Sequence, residues 1–239
     1  WKEGISLFKK KIDESGADSK YNKLAFLVSA WSTNEALYLI KSLTEDKLKG
    51  SEVYFFSRGK REDITFPGFR ISGDKNPNTQ GIISIFNLSS PEDKSAKMLL
   101  GKINSGSIDR VVVLGGIPGG HIPEELLQNR EKLKDIIVID HSKTELSDKA
   151  SLVLPGLSFA EKSGSYINDQ KRVQRILPAI KPVTGGKPED LILQELSVEL
   201  GTSSRVLSTS GVFDEMSRLP VFKGMNYRTL ADRGAALSS

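Results

Sequence analysis

Residues 151–174 read SLVLPGLSFAEKSGSYINDQKRVQ, and they carry the clearest fold signal in the chain. An apolar run at 152–154 stops at Pro155 and Gly156. Proline has no N–H to donate to a strand ladder and glycine relaxes the backbone, so a strand must end here. Ligands tend to bind where strands end in open α/β sheets. We therefore expect a functional edge of a sheet at this point.

The composition is that of an ordinary globular protein. The chain has 239 residues, of which 38% are hydrophobic and 27% charged. No apolar run approaches the roughly 20 residues that a membrane helix needs, so we expect no direct membrane insertion. The net charge of +4 is spread along the sequence and no basic face with interleaved aromatic residues is visible, so nucleic acid is not an expected partner.

The chain contains no cysteine and only two histidines, His121 and His141. The absence of cysteine excludes disulfides, thiol catalysis and iron–sulfur clusters held by thiolates of this chain. Two imidazoles are too few for a self-contained zinc site of the common types. No Ser/His/Asp constellation or carboxylate pair stands out. We therefore predict no catalytic residue and no metal ligand in this chain.

Short apolar runs alternate with helical patterns over most of the sequence. The runs at 24–28, 53–56, 111–114 and 136–139 are typical of strands buried on both faces. Because strand, helix and strand follow one another with short links, right-handed parallel crossovers are expected. We predict a doubly wound, mostly parallel α/β domain over residues 1–185. Residues 186–239 are predicted to be a helical C-terminal extension of the same domain.

Glycines follow the third predicted strand, in the sequence GGIPGG at 115–120. A turn after a strand is the right place to cradle a phosphate, which makes Gly115 and Gly116 candidate cofactor residues. The spacing matches neither G-x-G-x-x-G nor G-K-[ST], and Pro118 lacks an N–H, so a flexible turn is the simpler interpretation. Asp140 and His141 lie at the end of the fourth strand, where they could pair as an acid and the residue that orients it. A histidine at a strand end more often bonds to the backbone.

The first and last strand ends also carry polar residues. Ser32 or Thr33 suits the N-cap of the helix predicted at 35–48, and capping alone explains Asn34. A ligand role for Ser32 and Asn34 rests on their position at the carboxyl end of a strand. Alternating charged and apolar residues at 169–176 predict a hairpin arm with a basic outer side, for which a solvated or interface-facing strand is the simpler interpretation.

Several segments resemble the molybdopterin-dependent oxidoreductase superfamily. Residues 159–168, FAEKSGSYIN, are similar to its FAEK-x-GT-F-x-N segment, and 172–175 match its RVQR. Weaker similarities occur at 32–35 (STNE), 144–155, 179–182 (AIKP) and 192–201. The matches follow one another in order along most of the chain. They imply an α/β domain like those of formate dehydrogenase and DMSO reductase.

Two kinds of family member fit this resemblance, and we prefer the C-terminal domain of the large iron–sulfur subunit of NADH-quinone oxidoreductase (bacterial complex I). The loop at 76–81 resembles that subunit's NT-x-G segment. The stretch between Asn34 and Gly115 is short for a pterin site. Ser239 lies where a cofactor-covering domain would begin in the true enzymes. Such a domain has no redox centre of its own and is a structural part of the respiratory electron-transfer arm. Iron–sulfur clusters are then expected before Trp1, other complex I subunits are the partners, and the location is cytoplasmic and peripheral to the inner membrane.

The alternative is the cofactor-binding part of a molybdenum or tungsten bis-pterin oxidoreductase such as formate dehydrogenase. Under this alternative the resemblance implies cofactor contacts from eight residues: Ser32, Asn34, Gly115, Gly116, Asn168, Lys171, Arg172 and Gln174. Lys171 stands where some formate dehydrogenases have arginine; it keeps the charge but lacks the planar donor fork. A third interpretation is a generic nucleotide-binding α/β module whose motifs match by coincidence.

Overall fold

The structure, a computed structural model, describes residues 1–13, 21–183, 185–203, 205–230 and 232–237. Its centre is a five-stranded sheet in the order β2-β1-β5-β6-β7, in which every neighbouring pair is parallel. The five strands are β1 Leu24–Ser29, β2 Glu52–Phe56, β5 Arg110–Leu114, β6 Asp135–Asp140 and β7 Leu152–Pro155. Each was predicted from a continuous apolar run, and β1, β5 and β6 are buried along their whole length.

Helices cover both faces of this sheet, which confirms the doubly wound α/β class. The helices are α1 Lys2–Asp13, α2 Asn34–Asp46, α3 Thr79–Phe86, α4 Ala96–Asn104, α5 Glu124–Gln128, α6 Glu145–Asp148, α7 Glu189–Glu199, α8 Thr209–Met216 and α9 Tyr227–Leu230. Successive strand residues point to opposite faces. Phe26 therefore joins the apolar core under α1, α2 and α7, whereas Leu27 joins the core under α4, α5 and α6.

The strand order places a switch point between β1 and β5. The chain passes from β1 to β2 on one side and then returns to build β5, β6 and β7 on the other. The connections leave in opposite directions at such a point, and a crevice opens at the carboxyl ends of the two strands. Ser29, the last residue of β1, donates a hydrogen bond from Oγ to the carbonyl of Gly115, just after β5. The expected functional edge is thus centred on Ser29 and Gly115.

A second sheet carries the predicted hairpin arm. Strands β8 Gly164–Ile167 and β9 Arg172–Ile176 are antiparallel, as predicted for residues 169–176. A third strand, β10 Ala235–Ala236, pairs with β9. The predicted helical C-terminal extension thus also contributes one short strand, whose two paired residues leave no periodic signal in a sequence. The division at residue 185 stays a prediction.

Four local predictions from the sequence need correction. Residues 74–81 were predicted to be a loop, but α3 begins at Thr79. The sequence at 92–103, with Pro91 in the first turn, predicts one helix, whereas the structure has a 3-10 turn, Pro91–Lys94, followed by α4. The sequence from Pro123 to Lys132 also predicts one helix, which instead ends at Gln128 and is followed by a 3-10 turn, Arg130–Lys132. The polar linker predicted at 202–210 ends where α8 begins at Thr209; residue 204 lies outside the described residues.

A short two-stranded hairpin, β3 Ile64–Phe66 and β4 Phe69–Ile71, stands apart from both sheets. The sequence from 58 to 73 is irregular apart from a short strand that it predicts at 69–71, so it indicates β4 but not β3. Among the described residues, no helix combines the length and the apolar character needed to cross a bilayer.

Candidate functional site at the carboxyl edge of the sheet

Asn78 joins the loop after β1 to the second sheet. Its backbone N–H donates to the carbonyl of Ala30 at 3.1 Å, and its Nδ2 donates to the carbonyl of Ser32 at 2.8 Å. Its Oδ1 accepts from the backbone N–H of Ile167 in β8 at 2.8 Å. Sequence reasoning missed this role. Gly81 is packed against the same side chains, since an added Cβ would lie 2.2 Å from Asn78 Oδ1 and 2.4 Å from Asn34 Oδ1.

The first turn of α2 presents polar side chains inside the protein. Thr33 is the N-cap, and its hydroxyl accepts from the N–H of Ala36 at 3.3 Å, so the sequence offered the correct residue among two. Ser32 and Asn34 beside it are buried. Asn34 Nδ2 donates to Ser165 Oγ of β8 at 3.0 Å. Capping thus explains Thr33, but it does not explain why Ser32 and Asn34 are buried.

Four buried polar atoms in two adjoining segments have no hydrogen-bond partner among the described residues. They are Trp31 Nε1, Ser32 Oγ, Asn34 Oδ1 and Thr79 Oγ1. Most buried polar side-chain atoms in proteins have a partner, and leaving one unpaired costs about 1–3 kcal/mol. The group includes a donor, an acceptor and two hydroxyls that can serve as either. Such a set fits a polar organic ligand at this edge.

Glu35 sits beneath these atoms in a buried hydrogen-bond network. Its Oε2 accepts from the backbone N–H of Ser165 at 2.9 Å. Its Oε1 accepts from Ser165 Oγ at 2.9 Å and from Tyr227 Oη at 2.6 Å. Burial raises the pKa of Glu35 to about 7, although these hydrogen bonds act in the opposite direction. The sequence suggested only a helix-capping segment at this position, whereas the structure shows a link between α2, β8 and the C-terminal segment.

A buried ion pair lies close to this network. Lys162 Nζ is 2.7 Å and 2.6 Å from the two carboxylate oxygens of Glu189, and both side chains are almost fully buried. Burial disfavours the charge on Lys162, but the adjacent Glu189 carboxylate outweighs burial and the pKa of Lys162 is raised. Burial also raises the pKa of Asp190, which accepts from Thr209 Oγ1 at 2.9 Å. This pair packs the FAEK segment against the start of α7.

The two predicted glycines lie at the centre of the edge. Gly115 is packed so closely that an added Cβ would lie 1.7 Å from Asp140 Oδ2. Gly116 has a φ of +90°, a conformation that favours glycine, and a Cβ there would be 3.6 Å from Glu189 Oε1. Further along the same loop, the carbonyl of Pro118 accepts from the Arg58 guanidinium. Both glycines are required by packing and backbone geometry.

Replacing Gly115 with alanine should lower the free energy of unfolding by about 1–3 kcal/mol, because the new methyl group overlaps a carboxylate that cannot easily move. Asp140 is buried and its Oδ1 accepts from the N–H of Ser142 at 3.1 Å. Gly101→Ala is the matched control, because Gly101 lies in α4 and an added Cβ there would meet no atom within 4 Å. It should raise stability by up to about 1 kcal/mol. Urea unfolding measures both, and equal midpoints for the two variants would contradict the packing argument.

The four predicted residues of the hairpin have local partners. Asn168 Oδ1 accepts from the N–H groups of Gln170 and Arg172, and its Nδ2 donates to Gln174 Oε1 at 3.0 Å. Lys171 has a φ of +56°, in the left-handed region. Arg172 donates from Nε and Nη2 to the carbonyls of Arg233 and Gly234, at 3.0 Å and 2.9 Å.

The eight predicted residues therefore form two groups. One group, Asn168, Lys171, Arg172 and Gln174, lies in the hairpin. The side chains of Asn168, Arg172 and Gln174 bond within the hairpin or to the segment before β10, and the backbone N–H of Lys171 donates to the carbonyl of Asn168 at 2.9 Å. The other group consists of Ser32, Asn34, Gly115 and Gly116, which lie together at the carboxyl ends of β1 and β5. We keep the second group as the candidate site.

Asp140 and His141 are adjacent, as the sequence suggested. His141 Nδ1 lies 3.1 Å from Asp140 Oδ1, but the pair lacks hydrogen-bond geometry. Within the described ranges, no group of three or more histidine, aspartate and glutamate side chains is placed to hold a metal ion.

Comparisons with known proteins give a family match. The model of the family described as molybdopterin oxidoreductase matches residues 76–199. The chain is 34% identical over 107 residues to the F420-dependent formate dehydrogenase 2 subunit alpha of Methanococcus maripaludis, covering 44% of this chain and 16% of that protein. It is 34% identical over 101 residues to a putative formate dehydrogenase of Staphylococcus aureus strain MRSA252, covering 42% of this chain and 10% of that protein. The chain thus corresponds to a small part of these relatives.

A solved structure is also similar. The acetylene hydratase from Pelobacter acetylenicus aligns with a TM-score of 0.44 and 14% sequence identity. The alignment covers 60% of this chain and 20% of that one.

Proposed function

From the family match, which covers more than half of its length, the chain belongs to the molybdopterin oxidoreductase family, and we propose that it binds part of the pterin cofactor in a formate dehydrogenase-like oxidoreductase. The family was predicted from the sequence, and the match removes the interpretation of coincidental motifs. The two relatives described above carry the name formate dehydrogenase. They favour the alternative we drew from the sequence over the preferred one, the large iron–sulfur subunit of complex I.

The observation that supports the proposal best is the set of unpartnered buried atoms at the carboxyl edge. Ser32 Oγ and Asn34 Oδ1 belong to residues that the sequence already suggested. Trp31 precedes Ser32 in the chain, and Thr79 follows Asn78, whose Nδ2 donates to the carbonyl of Ser32. Their positions after β1 and at the start of α3 put them at the switch point of the sheet, where α/β domains bind ligands. A ligand with both donors and acceptors would satisfy all four.

The residues around these atoms hold them in fixed positions. Asn34 is held by its donation to Ser165, so that Oδ1 remains as an acceptor for an N–H or O–H of the ligand. Asn78 fixes the loop that carries Trp31 and Ser32. When bound, the cofactor would supply a molybdenum or tungsten centre for two-electron chemistry. The contribution of this chain would be to bind and orient the organic part, because groups fixed before binding lose little entropy on binding.

Combining Ser32→Ala with Thr79→Val should weaken cofactor retention without destabilising the fold. Both changes remove a hydroxyl that has no partner in the part of the chain that the structure describes, so folding loses no hydrogen bond seen there. Two lost ligand hydrogen bonds, at about 0.5–1.5 kcal/mol each, together correspond to release that is about five- to 150-fold faster. The measurement is the rate at which pterin leaves the full-length protein, followed by fluorescence of the oxidised pterin, together with the unfolding midpoint.

Ser107→Ala is the matched control, because Ser107 precedes β5 and therefore lies at the opposite, amino edge of the sheet. Its pterin release should equal that of the unchanged protein. Unchanged release in the double variant would contradict the proposed site. A full-length protein that folds and carries iron–sulfur clusters but no pterin would instead favour the structural complex I domain.

A further inference from the structure

The β3–β4 hairpin has one face made entirely of large apolar side chains. In its register Ile64 is opposite Ile71, and Phe66 is opposite Phe69. These four side chains lie on the same face because side chains alternate along a strand. They are exposed by 54%, 40%, 43% and 58%, respectively. The two phenyl rings stack with centroids 4.7 Å apart and planes 11° from parallel.

The opposite face fixes the hairpin to the body of the protein. Arg70, on that face, is paired with Asp63 at 2.6 Å and also with Asp169 in the turn between β8 and β9. Ser72 Oγ donates to the same Asp169 at 3.3 Å. The polar contacts therefore hold the hairpin in one orientation and leave its apolar face in solvent.

A contiguous apolar face of this kind is rarely left exposed to solvent on the surface of an assembled protein. Two-stranded hairpins are marginally stable on their own and normally bury an apolar face. Contiguous exposed apolar patches mark interaction sites, whereas single exposed apolar residues need no explanation. In this chain the four side chains are adjacent and include a stacked aromatic pair. The face therefore has the properties of an interface.

The charges around the hairpin indicate what covers it. Residues 57–75 contain five basic and three acidic side chains, and Arg70 is already paired with Asp63 and Asp169. The other charged side chains of this segment are mainly basic, and they include the exposed Lys60 and Arg61. Arg61 lies at the base of the hairpin, where its backbone N–H donates to the carbonyl of Gly73. A second copy of this chain would bring like charges together. The intervening Glu62 and Asp74 disfavour an anionic lipid surface, and the aromatic residues are not the Trp and Tyr typical of membrane interfaces.

We propose that the β3–β4 hairpin docks by its apolar face onto a companion protein subunit. The partner surface is an apolar patch, and its rim carries more carboxylates than basic groups, so that it complements Lys60 and Arg61. This inference does not depend on cofactor binding, because it rests on a different surface from the carboxyl edge.

Photo-crosslinking in the assembled protein tests the proposal. Benzoylphenylalanine replaces Phe69 in the full-length protein, expressed in its own host, and the adduct is identified by mass spectrometry. We expect one major adduct, with a different polypeptide, through a peptide that combines apolar residues with nearby Asp or Glu. The control position is Met98 on α4, which is 50% exposed but isolated and should give no such adduct.

A second experiment uses the subunit so identified. Combining Phe66→Ser with Phe69→Ser should raise its dissociation constant at least about 30-fold, since aromatic anchors dominate interfaces. The thermal midpoint of the unbound protein should not fall, because both rings are already exposed. Met98→Ser should change neither quantity. An adduct with lipid, with a second copy or with the chain's own polypeptide would overturn the proposal, as would equal dissociation constants for the two variants.

Discussion

Replacing Lys162 with methionine should lower the free energy of unfolding by about 3–5 kcal/mol, the largest single effect we expect. Lys162 and Glu189 have side chains exposed by only 2% and 6%. Removing the ammonium leaves the Glu189 carboxylate buried and unpaired beside Asp190, whose own pKa is raised by burial. A buried charge without a partner is expensive, whereas a well-packed apolar pair is not. Urea unfolding measures the loss.

Two further variants isolate this effect. Adding Glu189→Leu to Lys162→Met removes both charges and should recover most of the lost stability. Lys149 follows α6, and its Nζ lies 2.8 Å from Oε1 of Glu145 in an exposed ion pair. Lys149→Met should therefore lower the free energy of unfolding by less than about 1 kcal/mol. A cost for Lys162→Met no greater than that for Lys149→Met would show that the buried pair is not needed.

The stability contributed by Glu35 should decrease as pH rises. Its folded pKa of about 7 lies above the ordinary value of 4.5, so between these pH values the folded state holds a proton that the unfolded state has released. The contribution is complete below pH 4.5, falls across the window and is lost above pH 7. The shift corresponds to about 3 kcal/mol. Unfolding free energies of the unchanged protein and of Glu35→Gln, measured from pH 4.5 to 8, test this.

Glu35→Gln is the appropriate comparison because glutamine has the same shape and cannot ionise. The difference in stability between the two proteins should change by about 3 kcal/mol across the window, since other titrating groups cancel. Glutamine can also turn its oxygen toward the N–H of Ser165 and its NH₂ toward the Tyr227 hydroxyl, which can accept. A difference that stays constant from pH 4.5 to 8 would show that Glu35 is not protonated at neutral pH.

The sheet was predictable from sequence because its signal is local. The strands β1, β5 and β6 are continuous apolar runs, and such runs indicate strands buried on both faces. The positions of Ser32, Asn34 and Gly115 follow directly, since carboxyl ends of parallel strands share one edge of the sheet. The amino-acid sequence is therefore sufficient to locate the edge of the sheet that carries the candidate site.

The contacts within the site were not predictable in this way. Glu35 meets Tyr227 across 192 residues and Ser165 across 130, and neither pairing leaves a pattern in the sequence. Asn78 looked like a loop residue because Asn, Pro and Gly surround it, and α3 is only eight residues long. Arg172 was assigned to the cofactor by resemblance, whereas its guanidinium holds the segment before β10. Long-range polar contacts require the fold.

The most direct test of cofactor binding at this edge is an experimental structure of the full-length protein, purified without oxygen. We expect a pterin-containing ligand with polar atoms within about 3.5 Å of Ser32 Oγ and Asn34 Oδ1, at the carboxyl ends of β1 and β5. A well-ordered edge at which these atoms meet only water or protein, with no pterin bound, would contradict the central claim.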